Sequence, residues 1–167
     1  MSKLGSSMAL VGDKELQKTL LKLSDSAARQ IMRPAITAGL KPVRQTARDN
    51  AAPGAVFSPE ASGLMRKAIS ASAKARKDSV TGKVFVNRKV EGIVDGKKHV
   101  PGNIAHLVEF GHGGKSPAPA YPFLRTALGS RKSDALKALT NKARELLPRV
   151  IQKLRAKGKP VYIGDSK

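Results

Sequence analysis

The sequence predicts a single α+β domain: N-terminal helices, a small antiparallel β-sheet (a hairpin), and a long basic C-terminal helix packed on it. Three observations carry this. Apolar residues recur three or four apart near both ends of the chain; the period falls towards two between Val80 and Val94; and hydrophobic residues make up 40% of 167, enough for the core of one ordinary domain.

The first helix is expected from Asp13, whose carboxylate can cap free amides, to about Ser24, with Leu16, Leu20 and Leu23 along one face. Ser24-Asp25-Ser26 then offers caps for a second, in which Ala28, Ile31, Met32, Ala35, Ile36, Leu40, Val43 and Ala47 keep helical spacing. Pro34 and Pro42 fall inside that pattern, and each removes a hydrogen bond and crowds a carbonyl, so a bent helix or two shorter ones is expected. Residues Asn50 to Ser62, with two Pro and a Gly, read as a flexible loop. A short helix should follow from Gly63 to Ser72, with Leu64, Ala68 and Ile69 inward. Val80 to Val94 reads as a β-hairpin interrupted at Asn87-Arg88-Lys89, and Asp95-Gly96 as a turn. Gly102 to Phe110 is expected to be helical, capped by Asn103 and burying Ile104, Leu107 and Val108. A helix should start at Phe123. A longer one, capped by Ser133 and open to kinking at Pro148, should run to about Lys157 on Leu136, Leu139, Ala143, Leu146, Leu147, Val150, Ile151 and Leu154. Val161 to Ile163 is a candidate terminal strand in a tail from residue 158 to 167.

Charge limits the partners more than the fold. Lys and Arg number 32 against 12 Asp and Glu, a formal net charge of +20, and a field of that strength draws polyanions. Aromatics are 4%, too few for base-stacking platforms. With no Cys, disulfides, thiol catalysis and thiolate metal sites are excluded. There is no apolar run of about 18 residues to span a membrane, and the opening MSKLGSSMALVGDK lacks the core of a signal peptide, so a soluble protein is expected.

Catalytic chemistry finds little support. His106, Glu109 and His112 have a loose metal-like spacing, but Gly111 should end the helix before His112 and there is no HExxH pair. Gly111 to Ser116 (GHGGKS) fails as a phosphate loop, because its first Gly would have to stand at 109 and Pro117 follows where a helix should begin. There is no GxSxG elbow, and Glu91, Asp95 and Glu109 are not spaced as paired carboxylates. We therefore expect no enzyme, no metal, no cofactor and no small-molecule substrate.

Ile104-Ala-His-Leu-Val-Glu-Phe-Gly111, a Gly/Pro-rich loop, and Tyr121-Pro-Phe-Leu-Arg-Thr-Ala127 together resemble the signature of a family of tailed-bacteriophage minor tail components, the neck, tail-completion or head-tail joining proteins of long-tailed phages. Ala61-Ser-Gly-Leu-Met-Arg-Lys-Ala-Ile69 is similar to that family's other recurring patch, and the resemblance runs over roughly residues 13 to 157. It implies a virion protein at the neck of the particle. Copies would form a six-fold ring round the DNA channel, between a head-closure or stopper ring and the tail-tube or tail-terminator proteins. The motif residues Glu109, Phe110, Gly111, Pro122, Phe123 and Arg125 suit a rigid corner: Gly111 in a left-handed helix ending, Phe110 and Phe123 as anchors, and Pro122 in a first helical turn. Glu109 has three candidate roles: holding loop amides, pairing with Arg125, or meeting a neighbouring subunit. A basic stripe of Lys137, Lys142, Arg144, Arg149, Lys153 and Arg155 is expected to face genomic DNA, contacted without base readout, or an acidic partner ring, with the opposite leucines packed on the hairpin. The competing readings are a basic nucleoid-type protein that binds nucleic acid non-specifically and, more remotely, a small hydrolase built on His106, Glu109 and His112.

Overall fold

The computed structural model describes residues 16, 20, 23–52, 57–76, 79–114 and 117–157. Leu16 and Leu20 are helical, and the rest of the expected first helix lies outside the described residues, as do the candidate strand at Val161 to Ile163 and the tail. The described elements are helix α1 (Asp25–Asn50), helix α2 (Pro59–Ala68), strands β1 (Ile69–Ala75), β2 (Val80–Val86), β3 (Gly92–Val94) and β4 (Lys97–His99), helix α3 (Pro101–Phe110) and helix α4 (Phe123–Ala156). The class is α+β.

Helix α1 is the axis of the molecule. It runs unbroken through Pro34 and Pro42 for 26 residues, where an interruption was expected. Each proline leaves a carbonyl four residues back without its amide donor, at Gln30 and Ala38. Neither residue is buried, so water can serve those carbonyls. The opposite face is buried at Ala27, Ile31, Ala35, Gly39, Leu40, Val43 and Ala47, and packing of that face outweighs the local penalty.

Helix α4 lies antiparallel along α1. Asn50 meets Phe123, Thr46 meets Arg131, and Gly39 meets Ala135 and Leu139. The small residues Ala27, Ala35 and Gly39 face Ala135 and Ala143, which lets the two backbones approach. A Cβ on Gly39 would stand 2.8 Å from the Ala135 carbonyl oxygen. Ser133 and Pro148 both lie within this one 34-residue helix, so Ser133 caps nothing. The leucine stripe of α4 therefore packs chiefly on α1 and not on a hairpin. A helix offers α4 a groove matched to its own ridge along its whole length, whereas the short strands do not.

The β1–β2 hairpin sits elsewhere on α1, and the β3–β4 hairpin lies against α2, with Gly92 facing Leu64. Strand β2 pairs with β1, from Ile69 opposite Val86 to Ala75 opposite Val80, and β3 pairs with β4. The expected partner of β2 was residues 90–94. Instead β1 occupies the stretch whose first residues, Ile69 to Ser72, were read as the end of the short helix. ISASAKA is rich in small residues and lacks a β-branched run, so its strand state is set by pairing with β2. Gly82 of β2 leaves room for Ile36 and Leu40 of α1. Asp95 and Gly96, at φ 51° and 71°, make the two-residue turn expected between Val94 and Lys97.

Helix α2 begins earlier than expected, at Pro59. Ser58 Oγ accepts the Ala61 amide, and Pro59 stands in the first turn, so the end of the presumed 50–62 loop is a capped helix start. Helix α3 also opens on a proline, Pro101, and Asn103 lies inside it without capping it. Its buried positions are Pro101, Ala105 and Glu109, while Ile104 is exposed and Leu107 and Val108 are half-buried.

Candidate functional site: the corner between α3 and α4 and the basic face of α4

The corner is built round a buried carboxylate. Glu109, 4% exposed at the end of α3, accepts the Leu124 amide at Oε2 and the Arg125 amide at Oε1, both at 2.9 Å. Those are the second and third amides of α4, which an N-cap side chain normally holds. Pro122 occupies the cap position and has no side-chain acceptor. Glu109 thus caps a helix fifteen residues further on, and its negative charge sits at the positive end of the α4 dipole. Arg125 closes the arrangement: its Nε donates to Glu109 Oε1 at 3.1 Å and its Nη2 to the Glu109 carbonyl at 3.0 Å. Two of the three roles open to Glu109 in the sequence, amide binding and the Arg125 pair, are filled together. The expectation that Pro122 enters the first turn is corrected by one position, since it precedes that turn.

Gly111 ends α3 at φ 71° and ψ 172°. The expected positive φ is present, but ψ is extended and not that of a left-handed helical turn, a combination essentially confined to glycine. A Cβ there would lie 2.8 Å from both the Ala118 oxygen and the Ala120 nitrogen. The loop folds back so that His112 and Ala118 exchange backbone hydrogen bonds at 3.0 and 2.9 Å, and the Tyr121 amide donates to the Val108 carbonyl at 2.7 Å.

The aromatic anchors differ from the expected pair. Phe123 is buried, but Phe110 is exposed, with the Arg125 guanidinium 4.6 Å from its ring centroid. Phe57 takes the other place, meeting Tyr121 and Phe123 edge-on at 6.1 and 6.4 Å between centroids. Asn50 joins α1 to this corner: its Nδ2 donates to the Phe123 carbonyl at 3.0 Å, and Tyr121 OH donates to the Asn50 carbonyl at 3.1 Å. Neither Phe57 nor Asn50 was a candidate, because nothing local in the sequence links them to residues more than sixty positions away.

His106 and His112 are both exposed, while the Glu109 oxygens are committed to α4. The structure does not bring the three side chains together as a reactive group. Among the described residues no three His, Asp or Glu side chains form a metal-ligand set.

Helix α4 carries the six stripe cations, and their spacing divides them. Lys137, Arg144 and Arg155 are seven and eleven apart, two and three turns, and form one row; Lys142, Arg149 and Lys153, seven and four apart, form another. All are exposed except the half-buried Lys142. Lys142 Nζ donates to Glu145 Oε1 and Oε2 at 2.9 and 2.8 Å, with Arg149 at 3.8 Å from the same carboxylate. That hydrogen bond from Lys142, helped by the charges of Lys142 and Arg149, outweighs desolvation and holds the Glu145 carboxyl below its usual range.

The family model described as "Bacteriophage HK97-gp10, putative tail-component" matches residues 14–111. The chain belongs to this family. The match to the HK97-gp10-like tail components takes in α1, α2, both hairpins and α3. It ends at Gly111, so Glu109 lies inside it and Arg125 and the basic helix lie beyond it. The resemblance was expected to run further, to about residue 157. Neither the curated proteins nor the solved structures yield a significant match. Among the described residues no helix is long and apolar enough to cross a membrane.

Proposed function

We propose that this protein is a non-catalytic structural component of a tailed-phage virion, part of the neck or tail-completion ring that joins head to tail around the DNA channel. The family match carries the reading, because it places the chain among phage tail components. Two features of the molecule support the finer position. The Glu109 clasp and the α1–α4 pair make a stiff wedge, suited to repetition in a closed ring. Helix α4 holds nine Lys and Arg against two acids, and a ring of such subunits multiplies a modest field round a channel for DNA. On this reading the partners are further copies of the chain, a head-closure ring on one side, the tail tube or its terminator on the other, and genomic DNA.

Negative-stain microscopy of particles made without the protein tests the position. Filled heads and separate tails are expected; intact, infectious particles would overturn it.

A further inference from the structure

Beside the α1–α4 contact lies an open groove of about 300 Å³, lined by Arg33, Pro34, Thr37, Ala38, Lys41 and Lys142. Arg33 and Lys41 were not among the stripe residues, since they belong to a different helix. Among the described residues no carboxylate comes within 4.0 Å of either. Lys142 stands on the opposite wall, oriented by Glu145. Thr37 spends its hydroxyl proton on the Arg33 carbonyl at 2.9 Å, so contact with an anion falls first to Arg33 and Lys41, with Lys142 adding a charge already paired to Glu145. Pro34 and Ala38 give the groove carbon surface between them.

We propose that this groove seats the phosphodiester backbone of double-stranded DNA. Arg33 and Lys41 meet phosphates, Lys142 adds its charge from the opposite wall, and the Pro34 and Ala38 carbons meet sugar edges. No aromatic ring lines it, so it holds the backbone without stacking bases. Eight residues separate Arg33 from Lys41, about 12 Å of helix, enough for the two side chains to meet different phosphates of one strand. Arg149 and Lys153 continue the Lys142 row along α4 and extend the track. The outer row of Lys137, Arg144 and Arg155 is secondary on this proposal. An acidic protein segment is the competing occupant; the duplex is favoured because its backbone presents a phosphate at every nucleotide.

The inference deepens the DNA side of the function proposed above, yet it is tested on the purified chain. Failure of the groove leaves neck assembly standing, and normal particles without the protein would remove the neck position while leaving the groove. Binding of a fluorescent 30-base-pair duplex is measured across a sodium chloride series for the intact chain and two triple variants of equal charge loss. One is Arg33→Gln/Lys41→Gln/Lys142→Gln, the other Lys137→Gln/Arg144→Gln/Arg155→Gln, with circular dichroism confirming that both fold. The groove variant should lose about tenfold or more in affinity and flatten the log–log salt slope by about 2 to 3, while the outer-row variant shifts affinity by less than about threefold. Equal losses in the two variants would mean a diffuse field and overturn the proposal. So would unchanged DNA binding by the groove variant, or polyglutamate that binds the intact chain more tightly than the duplex at equal salt.

Discussion

Glu109 shows how much one side chain can organise. It removes two unsatisfied amides from a helix it does not belong to, and it does so from a nearly dry position. Glu109→Ala should cost about 1 to 3 kcal/mol of stability, because it leaves the Leu124 and Arg125 amides without their acceptor, read as a shift in the urea midpoint. Arg125→Ala should cost less, about 1 kcal/mol, because the two amide contacts survive and the guanidinium is half in solvent. If the Arg125 variant proved the more damaging, the capping role would be wrong. Gly111 makes a second residue-scale case. Gly111→Ala forces a side chain into a backbone conformation few residues adopt and against the returning loop, at a cost of about 1 to 3 kcal/mol in the same measurement. The positive φ was readable from a glycine after a helix, but the extended ψ was not, since it is set by how residues 118 to 120 fold back.

Between elements, the α1–α4 seam decides the architecture. Gly39 approaches the Ala135 carbonyl so closely that Gly39→Leu must push the helices apart. The expected loss is about 1 to 3 kcal/mol despite the better helix propensity of leucine, and a stabilised variant would contradict the packing described. The exposed tie between Lys142 and Glu145 acts along α4. Its carboxyl titrates lower in the folded protein than in the unfolded chain, so its contribution is fully present above the unfolded value near 4.5 and is lost as pH falls through the folded one. Lys142→Gln should raise the Glu145 pKa towards its ordinary value in a side-chain NMR titration, and an unchanged titration would rule out the tie. Helices α1 and α4 were legible from apolar spacing because long, periodic segments bury one face. The β1 pairing was not, since Ile69 to Ala75 carries no strong strand signal and takes its state from β2.

At the scale of the whole molecule, charge governs behaviour in solution. A net +20 on 167 residues repels itself, so the folded state should gain from screening. The melting temperature should rise from low to moderate sodium chloride, and short duplex DNA should raise it further by binding the native form. A melting temperature that fell with salt would show that the cations are already compensated by ion pairs within the chain. The β1–β2 hairpin and α4 attach to different faces of α1, which leaves the basic rows of α4 exposed.

Composition and periodicity alone established a basic, cysteine-free α+β protein with long amphipathic helices, and the residues round the α3–α4 loop were enough to suggest a phage tail family. These follow from local rules: net charge is additive, and a helix must repeat its apolar face every three or four residues. Tertiary structure decided that α4 packs on α1, that Glu109 caps α4, and that Arg33 and Lys41 share a groove with Lys142. Each depends on which distant segments meet, and spacing along a chain does not encode a distance across space.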